Sequence, residues 1–348
     1  MEFSVSIQID HDSRKPKYKQ IVDSIIADIS KGNLKMGQKI PSINEISEEC
    51  YLSRDTVEKA YNQLKERKII VSVKGKGFYV AKTDLINKVN ILFLVNKLSS
   101  YKMSIYNAFL NAIGTNAHLD LHIYHCDETL FLSLIDKHLG HYDYYAIMPH
   151  FKNDTLQHIS FTDRVEQAIN KIPKDKLVIM DNKLNFVKED IVQVYQDFEN
   201  DIFEALADGI ERLRHYQKLI LVYPEKSVYP YPRRILHGFR RFCATHSFDF
   251  EILNEIYDSM ELQKGDTYIT ITETDLVDLV KQVRESSLIL GKEIGIISYN
   301  DTPLKELLGI TVIGTDFKKM GETTAQMILE NRKEQIRNNF RFIDRKSI

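Results

Sequence analysis

No run of about 18 apolar residues occurs anywhere in this 348-residue chain, which argues against a membrane-spanning helix. The opening MEFSVSIQIDHDSRKPKY has no uninterrupted apolar segment behind a basic flank, so no signal peptide is expected. Cysteine is scarce. Cys50, Cys126 and Cys243 are odd in number and far apart, with neither a CxxC nor a His/Cys cluster. That pattern predicts buried, reduced thiols in a cytoplasmic protein and no metal site. His122 and His125 flank a predicted strand end and read as structural. Gly-x-Ser-x-Gly, Walker A and Gly-x-Gly-x-x-Gly after a strand are all missing. No enzyme and no cofactor are expected.

Charge is unevenly placed. Residues 1–82 hold 15 Lys and Arg against 11 Asp and Glu, a net +4, within a chain whose total is −2. A basic head on an acidic body suits a polyanion-binding module joined to something that binds no polyanion. The apolar content of 43% is ample for a large core.

Within the head, IPSINEISEECYLSRDTVEKAYNQLKERKIIVSVKGKGFYV reads as two short amphipathic helices and a tight basic hairpin. Pro41 and Ser42 start the first helix, with Ser42 as N-cap and Glu45 at capping-box spacing; Ile43 and Ile46 form its apolar face. Ser53 caps the second, and Val57, Ala60, Tyr61 and Leu64 make its buried stripe. Arg54, Asp55, Thr56, Glu58 and Lys59 are left near the N-terminal end, where a recognition helix meets base edges. The hairpin Val73–Val80 carries Lys74 and Lys76 at its tip, placed to hold phosphates. The pattern predicts a winged helix-turn-helix. Candidate DNA contacts are Ser42, Asn44, Ser53, Arg54, Asp55, Thr56, Glu58, Lys59, Lys74 and Lys76.

From about Tyr18 to Val80 these motifs resemble the GntR family of bacterial transcription regulators. The residues that carry the resemblance are Tyr18-Lys19-Gln20-Ile21, then Gly32-x-Leu34-x-x-Gly37-x-x-Ile40-Pro41-Ser42. They continue through Ser53-Arg54-Asp55-Thr56-Val57-x-x-Ala60-Tyr61-x-x-Leu64 to the Gly75-Lys76-Gly77 wing. Arg54 matches the family's DNA-reading arginine. Two positions often basic in the family hold Asn44 and Glu58, which implies a different operator: asparagine suits adenine, and a carboxylate accepts from cytosine.

A linker is expected at 83–88, after which the pattern changes. Val89–Val95 is a short apolar run suited to a strand buried on both faces. A helical stretch follows at Ile105–Thr115, and strands are expected at Leu119–Tyr124, Tyr144–Met148, Leu177–Met180, Leu219–Tyr223, Thr267–Thr272 and Glu293–Tyr299. The expected fold is α/β: an N-terminal winged helix-turn-helix domain at 1–82 plus a two-lobed, doubly wound α/β effector domain at 89–348. Ligands bind beyond the carboxyl ends of such strands. Candidate stretches are therefore Asn96–Lys102, Asp181-Asn182, Glu225–Arg234, Thr272–Asp275 and Tyr299–Thr302.

The second half of this region resembles the effector core of the LacI family, itself similar to periplasmic sugar-binding proteins. Gly291–Leu304 looks like that family's last strand with its aromatic-Asp-Asp loop. Gly309–Gly321 resembles the crossover before the final helix, and Phe342–Ile348 the C-terminal strand. The resemblance implies ligand contacts from Arg233 and Arg234, which precede Gly238-Phe239 but are shifted from the commonest arginine position, here Ile235. It also implies contacts from Thr274-Asp275 in an Asn-Asp place, and from Asn300 and Asp301 after the strand. Tyr101, Phe151, Asp181, Tyr229 and Tyr231 complete the candidates, aromatics offering a stacking face and polar groups pairing with sugar hydroxyls.

A GntR head on a LacI-like core implies a homodimeric repressor of sugar catabolic genes. Its partners would be operator DNA and a monosaccharide or sugar phosphate, with no membrane involved. Dimer contact is expected through helices following Met103 and Phe151. Alternatives are a regulator responding to a non-sugar metabolite, or an activator. An aminotransferase-like module would need a far longer C-terminal part, and an all-helical acid-binding module a histidine cluster on helices.

Overall fold

The computed structural model describes residues 7, 9–10, 13, 15–30, 33–81, 89–114, 117–187 and 191–348, and the chain divides into units 1–88 and 89–348. The linker expected at 83–88 lies outside the described residues.

The first unit contains α1 (Lys17–Ser30), β1 (Lys39–Ile40), α2 (Ile43–Glu49), α3 (Arg54–Glu66), β2 (Ile70–Val73) and β3 (Gly77–Val80). Ser42 Oγ accepts from Glu45 N–H at 3.2 Å while the Glu45 carboxylate accepts from Ser42 N–H at 2.5 Å, so the capping box closes and starts α2. Ser53 Oγ accepts from Thr56 N–H at 3.3 Å and starts α3. The stripe Val57, Ala60, Tyr61 and Leu64 is fully buried against Ile21, Ile25 and Ile46. Tyr61 donates to Pro41 O at 2.6 Å, which ties α3 to the segment just ahead of α2. Strands order as β1-β3-β2, antiparallel throughout. Lys74-Gly75-Lys76 turns the hairpin, with Gly75 and Gly77 at φ +73° and +109°, a region that disfavours side chains.

The second unit begins with β4 (Val89–Val95), α4 (Ser100–Ile113), β5 (Ala117–Ile123), α5 (Glu128–His138), β6 (Tyr144–Ile147), the small hairpin β7 (Phe151–Lys152) and β8 (His158–Ile159), α6 (Asp163–Asn170), β9 (Leu177–Asn182) and β10 (Val192–Gln196). A second lobe follows: α7 (Phe198–Asp208), α8 (Ile210–Leu213), β11 (Lys218–Val222), α9 (Arg234–His246), β12 (Asp249–Leu253), β13 (Asp266–Thr270), α10 (Glu273–Glu285), β14 (Gly295–Tyr299), α11 (Pro303–Leu307) and β15 (Thr311–Thr315). The chain then returns to the first lobe for α12 (Phe317–Leu329) and β16 (Gln335–Arg337), and crosses once more for β17 (Phe340–Ile343).

Each lobe is a six-stranded sheet. The first, ordered β16-β10-β9-β6-β4-β5, is parallel throughout. The second, β12-β11-β13-β14-β15-β17, is parallel except for β17, which runs against β15. Both faces of each sheet carry an apolar cluster, which is why runs such as Val89–Val95 lack polar alternation. Among the described residues no helix is long and apolar enough to cross a membrane, and Cys50, Cys126 and Cys243 are buried free thiols.

Two readings of the C-terminal third need correction. Gly291–Leu304 does not hold the last parallel strand, because Thr311–Thr315 adds β15 beside it; Gly309–Gly321 holds that strand and then the crossover into the final helix α12. The closing strand runs over Phe340–Ile343, earlier than Phe342–Ile348. Strand β10 escaped notice because glutamines break its apolar pattern: Gln193 sits fully buried and accepts from Leu184 N–H at 3.0 Å.

The return helix α12 lies close on α4. An added Cβ at Gly321 would stand 2.4 Å from Ile105 O and 2.8 Å from Phe109 N, both backbone atoms that cannot yield alone. Gly321→Ala is expected to push the helices apart and lower stability by about 1–3 kcal/mol, read as a fall in Tm. An unchanged Tm would refute that close approach.

Candidate functional sites: a DNA-reading face and an interlobe cavity

On the head, the capping serines and the residues expected from sequence to meet DNA are held differently. Ser42, Ser53 and Thr56 spend their hydroxyls on caps, Ser53 Oγ lying 2.7 Å from Thr56 Oγ1. Asn44, Arg54, Asp55, Glu58, Lys59, Lys74 and Lys76 are exposed. Lys59 lies over the Tyr18 ring at 4.4 Å. Among the described residues no carboxylate pairs with Arg54, Lys74 or Lys76, so these cations face outward with their donors unspent. Phe78 packs edge-on against Tyr61 at 4.8 Å and holds the wing to α3. Two lysines on a ribbon beside an arginine at a helix start form a surface able to grip phosphates and reach a base edge.

The second unit encloses a cavity of about 370 Å³ between its lobes. The polar groups around it come from the carboxyl ends of the strands: Asn96 after β4, His150 after β6, Asp181 on β9, Gln196 on β10, and Tyr299 and Asn300 at β14. Its floor is built on Asp181, 3% exposed, whose carboxylate is ion-paired to Lys102 and accepts from Gln196. His150 Nε2 lies 2.7 Å from the same carboxylate, and His150 Nδ1 lies 2.8 Å from His158 Nε2. Since a carboxylate only accepts, Nε2 of His150 carries the proton and its Nδ1 accepts from His158. Burial pushes the Asp181 carboxyl up, but Lys102 and then His150 outweigh it and hold it well below the ordinary range. Burial drives His150 down to about 4, helped by the Lys102 ammonium, and takes His158 well below its ordinary value.

Several groups join the lobes across the cavity. Tyr101 donates to Glu273 at 3.4 Å, Lys305 donates to Tyr101 Oη at 3.4 Å, and Arg234 donates to Asn182 Oδ1 at 3.3 Å. His125 Nδ1 lies 2.9 Å from Tyr229 Oη. Lys305 is 1% exposed and donates to Tyr299 O and Asn300 O, each at 2.9 Å; burial lowers its pKa to about 8. The side-chain oxygens Asn96 Oδ1, Gln196 Oε1, Tyr299 Oη and Asn300 Oδ1 are buried with no protein partner. Unsatisfied groups of this kind are costly, and four beside one cavity call for a polar ligand.

Of the ligand candidates read from sequence, Tyr101, Asp181, Tyr231 and Asn300 line this cavity, Arg234 stands behind its wall, over Phe198 at 5.7 Å, and the Tyr229 ring lies 5.6 Å from the cavity-lining Lys97. The others lie elsewhere. Phe151 is wholly buried in the core between Tyr124 and Phe131. Asp275 spends one oxygen on Ile256 N–H at 2.9 Å and the other on Thr272 Oγ1 at 2.5 Å, so it secures the start of α10. Thr274 and Arg233 point to solvent, exposed at the starts of α10 and α9. Asp301 is held bidentately by Arg345, both contacts at 2.6 Å, and ties down the C-terminal segment. His150, His158, Gln196 and Lys305 were not read from sequence. The signal for His150 was present, since Pro149-His150 directly follows a strand; Gln196 was hidden with β10.

Residues 17–80 match the family described as "Bacterial regulatory proteins, gntR family". The head is a GntR-type winged helix. It is 39% identical over 83 residues to the HTH-type transcriptional repressor YtrA of Bacillus subtilis, covering 23% of this chain and 64% of that protein. It is 42% identical over 66 residues to the mannosyl-D-glycerate transport/metabolism system repressor MngR of Escherichia coli, covering 19% and 28%. The chain thus spans less than two thirds of these relatives' own length. The fold of the second unit is that of LacI-type regulators: the trehalose repressor from Escherichia coli superposes with a TM-score of 0.57 at 14% identity, covering 74% of this chain and 100% of that one. A head of GntR type is therefore joined to a core with the fold of the trehalose repressor.

The two buried histidines give the LacI-type core a pH dependence. Both are neutral when folded and would charge near pH 6.5 when unfolded. Their contribution is complete above that value and is lost as pH falls toward 4, because the unfolded chain then takes up more protons. The Tm of the chain should fall between pH 7 and pH 5. His158→Gln, which keeps a donor for His150, should flatten that slope by on the order of 1 kcal/mol per pH unit. Equal slopes for both proteins would refute it.

Proposed function

We propose that this chain is a sequence-specific DNA-binding transcription regulator, a cytosolic repressor of sugar catabolic genes released from its operator by a small sugar. The observation that carries the reading is the pairing of an unspent Arg54 at the start of the GntR helix α3 with a cavity whose buried oxygens lack partners. MngR and the trehalose repressor, named for sugar compounds, support the effector class. Closure of the lobes on a ligand is the two-state element that would alter operator affinity. By linkage, a sugar that weakens DNA binding must bind the DNA-bound form more weakly by the same factor.

Operator duplexes selected from a random pool, followed by fluorescence anisotropy, test the assignment. Arg54→Ala should cost about 1–3 kcal/mol on the selected site and relax base preference, whereas Lys74→Ala and Lys76→Ala should weaken all duplexes alike and reduce the salt slope. Asn300→Ala should keep operator affinity and lose release by sugar. Full operator affinity in Arg54→Ala would sink the DNA-reading role.

The reading includes a homodimer, since one winged helix reads only a half-site. Of the helices expected to make its contact, α4 carries α12 on one side and α6 turns Val165, Ala168 and Ile169 into the core; a second exposed apolar face lies on the other lobe. Leu304 and Leu307 of α11 are 54% and 83% exposed, and Leu304 shares a groove with Val277 of α10. A second copy of this chain is the occupant we assign to that face. Sedimentation of the full chain should give a dimer, and Leu304→Glu with Leu307→Glu a monomer; a dimer that persists in that variant excludes this face.

A further inference from the structure

We propose that the effector is an anionic sugar, a hydroxylated ring bearing a phosphate monoester or a carboxylate, whose charged group sits against Lys97 and the first turn of α4. The inference rests on reading the cavity as the effector site and names what that site selects.

The charges around the cavity do not cancel. Lys102 and Asp181 neutralise each other. Among the described residues Lys97, Arg234 and Lys305 have no carboxylate partner at ion-pair distance, and the one other carboxylate lining the cavity is Glu273, exposed and engaged by Tyr101. Lys305 has spent its donors on Tyr299 O, Asn300 O and Tyr101 Oη. Arg234 leans on Asn182 and the Phe198 ring. Lys97 is left with only the faces of Tyr231 and Tyr229, at 5.0 and 5.6 Å. Burial, then repulsion from Lys102, lowers its pKa, and an anion beside it would offset both effects.

The helix start beside Lys97 supplies matching donors. Ser99 Oγ accepts from Lys102 N–H at 3.3 Å and Ser99 O from Met103 N–H at 3.0 Å. The N–H groups of Ser100 and Tyr101 then have no acceptor among the described residues, and both residues line the cavity. Two free N–H groups at the positive end of a 14-residue helix, with an ammonium alongside, match the oxygens of a phosphate or carboxylate. The remaining wall asks for hydroxyls. Asn96, Gln196 and Tyr299 are each 4% exposed and carry oxygens with no partner. An inorganic anion would satisfy the first set of groups and leave the second empty, whereas a sugar bearing the anion reaches both.

Thermal shift on the full chain tests this, with inorganic phosphate against chloride at equal ionic strength, then with hexose 6-phosphates, hexuronates and neutral hexoses. Phosphate should stabilise the wild-type chain, and Lys97→Gln should weaken that response about tenfold or more. Because the wing could also bind phosphate, Lys74→Ala with Lys76→Ala is the control and should retain the response. A sugar phosphate favoured over the matching uronate identifies a phosphate monoester, and the reverse order a carboxylate. A phosphate response that is absent, or unchanged in Lys97→Gln, overturns the inference. A neutral hexose that stabilises wild type and Lys97→Gln equally, without any phosphate response, overturns the anion and leaves the effector site standing. Operator release insensitive to every sugar overturns the effector-site reading itself.

Discussion

A buried carboxylate holds the first lobe's share of the cavity together. Asp181 takes Lys102 from α4, His150 from the segment after β6 and Gln196 from the end of β10, so three strand ends and one helix meet at one side chain. A carboxylate in a nonpolar interior is expensive unless its charge is paired and its lone pairs are filled. Here both conditions hold. The cluster is rigid because each member would be stranded without the others, and its residue Asp181 accepts a left-handed backbone, φ +72°, to reach the centre. The groups left outside that network, Asn96 Oδ1 and Gln196 Oε1 among them, are the ones that face the cavity unsatisfied.

The two lobes are built from a chain that passes between them three times, after β10, β15 and β16. Each lobe is therefore completed by residues distant in sequence: β16 closes the edge of the first sheet, and β17 the edge of the second. The backbone approach of Gly321 to α4 locks the returning helix onto the lobe that carries Lys97, Tyr101 and Lys102. In such an arrangement a ligand gripping both walls competes mainly with a few long interlobe contacts, Tyr101 to Glu273 and Arg234 to Asn182, rather than with packed core. The closure proposed above would then be a small rearrangement of polar contacts, the sort of element that a ligand can bias.

In the head, the side chains that fix the fold and those proposed to meet DNA are different residues of the same short segments. Ser42, Ser53, Tyr61 and the apolar stripe of α3 start the two helices and hold them together, while Arg54, Glu58 and the wing lysines remain outside that network. Substitutions on this outward face need not disturb how the unit folds.

The winged helix could be read almost completely from the chain, because its determinants are local: caps three residues apart, a stripe at helical spacing, glycines at a basic turn. The central strands of both lobes were equally plain, since a strand covered on both faces must be a continuous apolar run, as at Val89–Val95. Strands carrying buried glutamine or threonine, β10 and β15, gave no such signal. The cavity was legible only in part. Position after a strand brought forward Tyr101, Asp181 and Asn300, but the same rule proposed Thr274, Asp275 and Asp301, whose side chains are solvent-exposed, capping a helix or paired with Arg345. Nothing in a sequence tells whether a carboxylate after a strand is spent on its own backbone or left for a ligand. That depends on which partners the fold delivers, and Lys102, His150 and Arg345 reach theirs only once distant segments have packed.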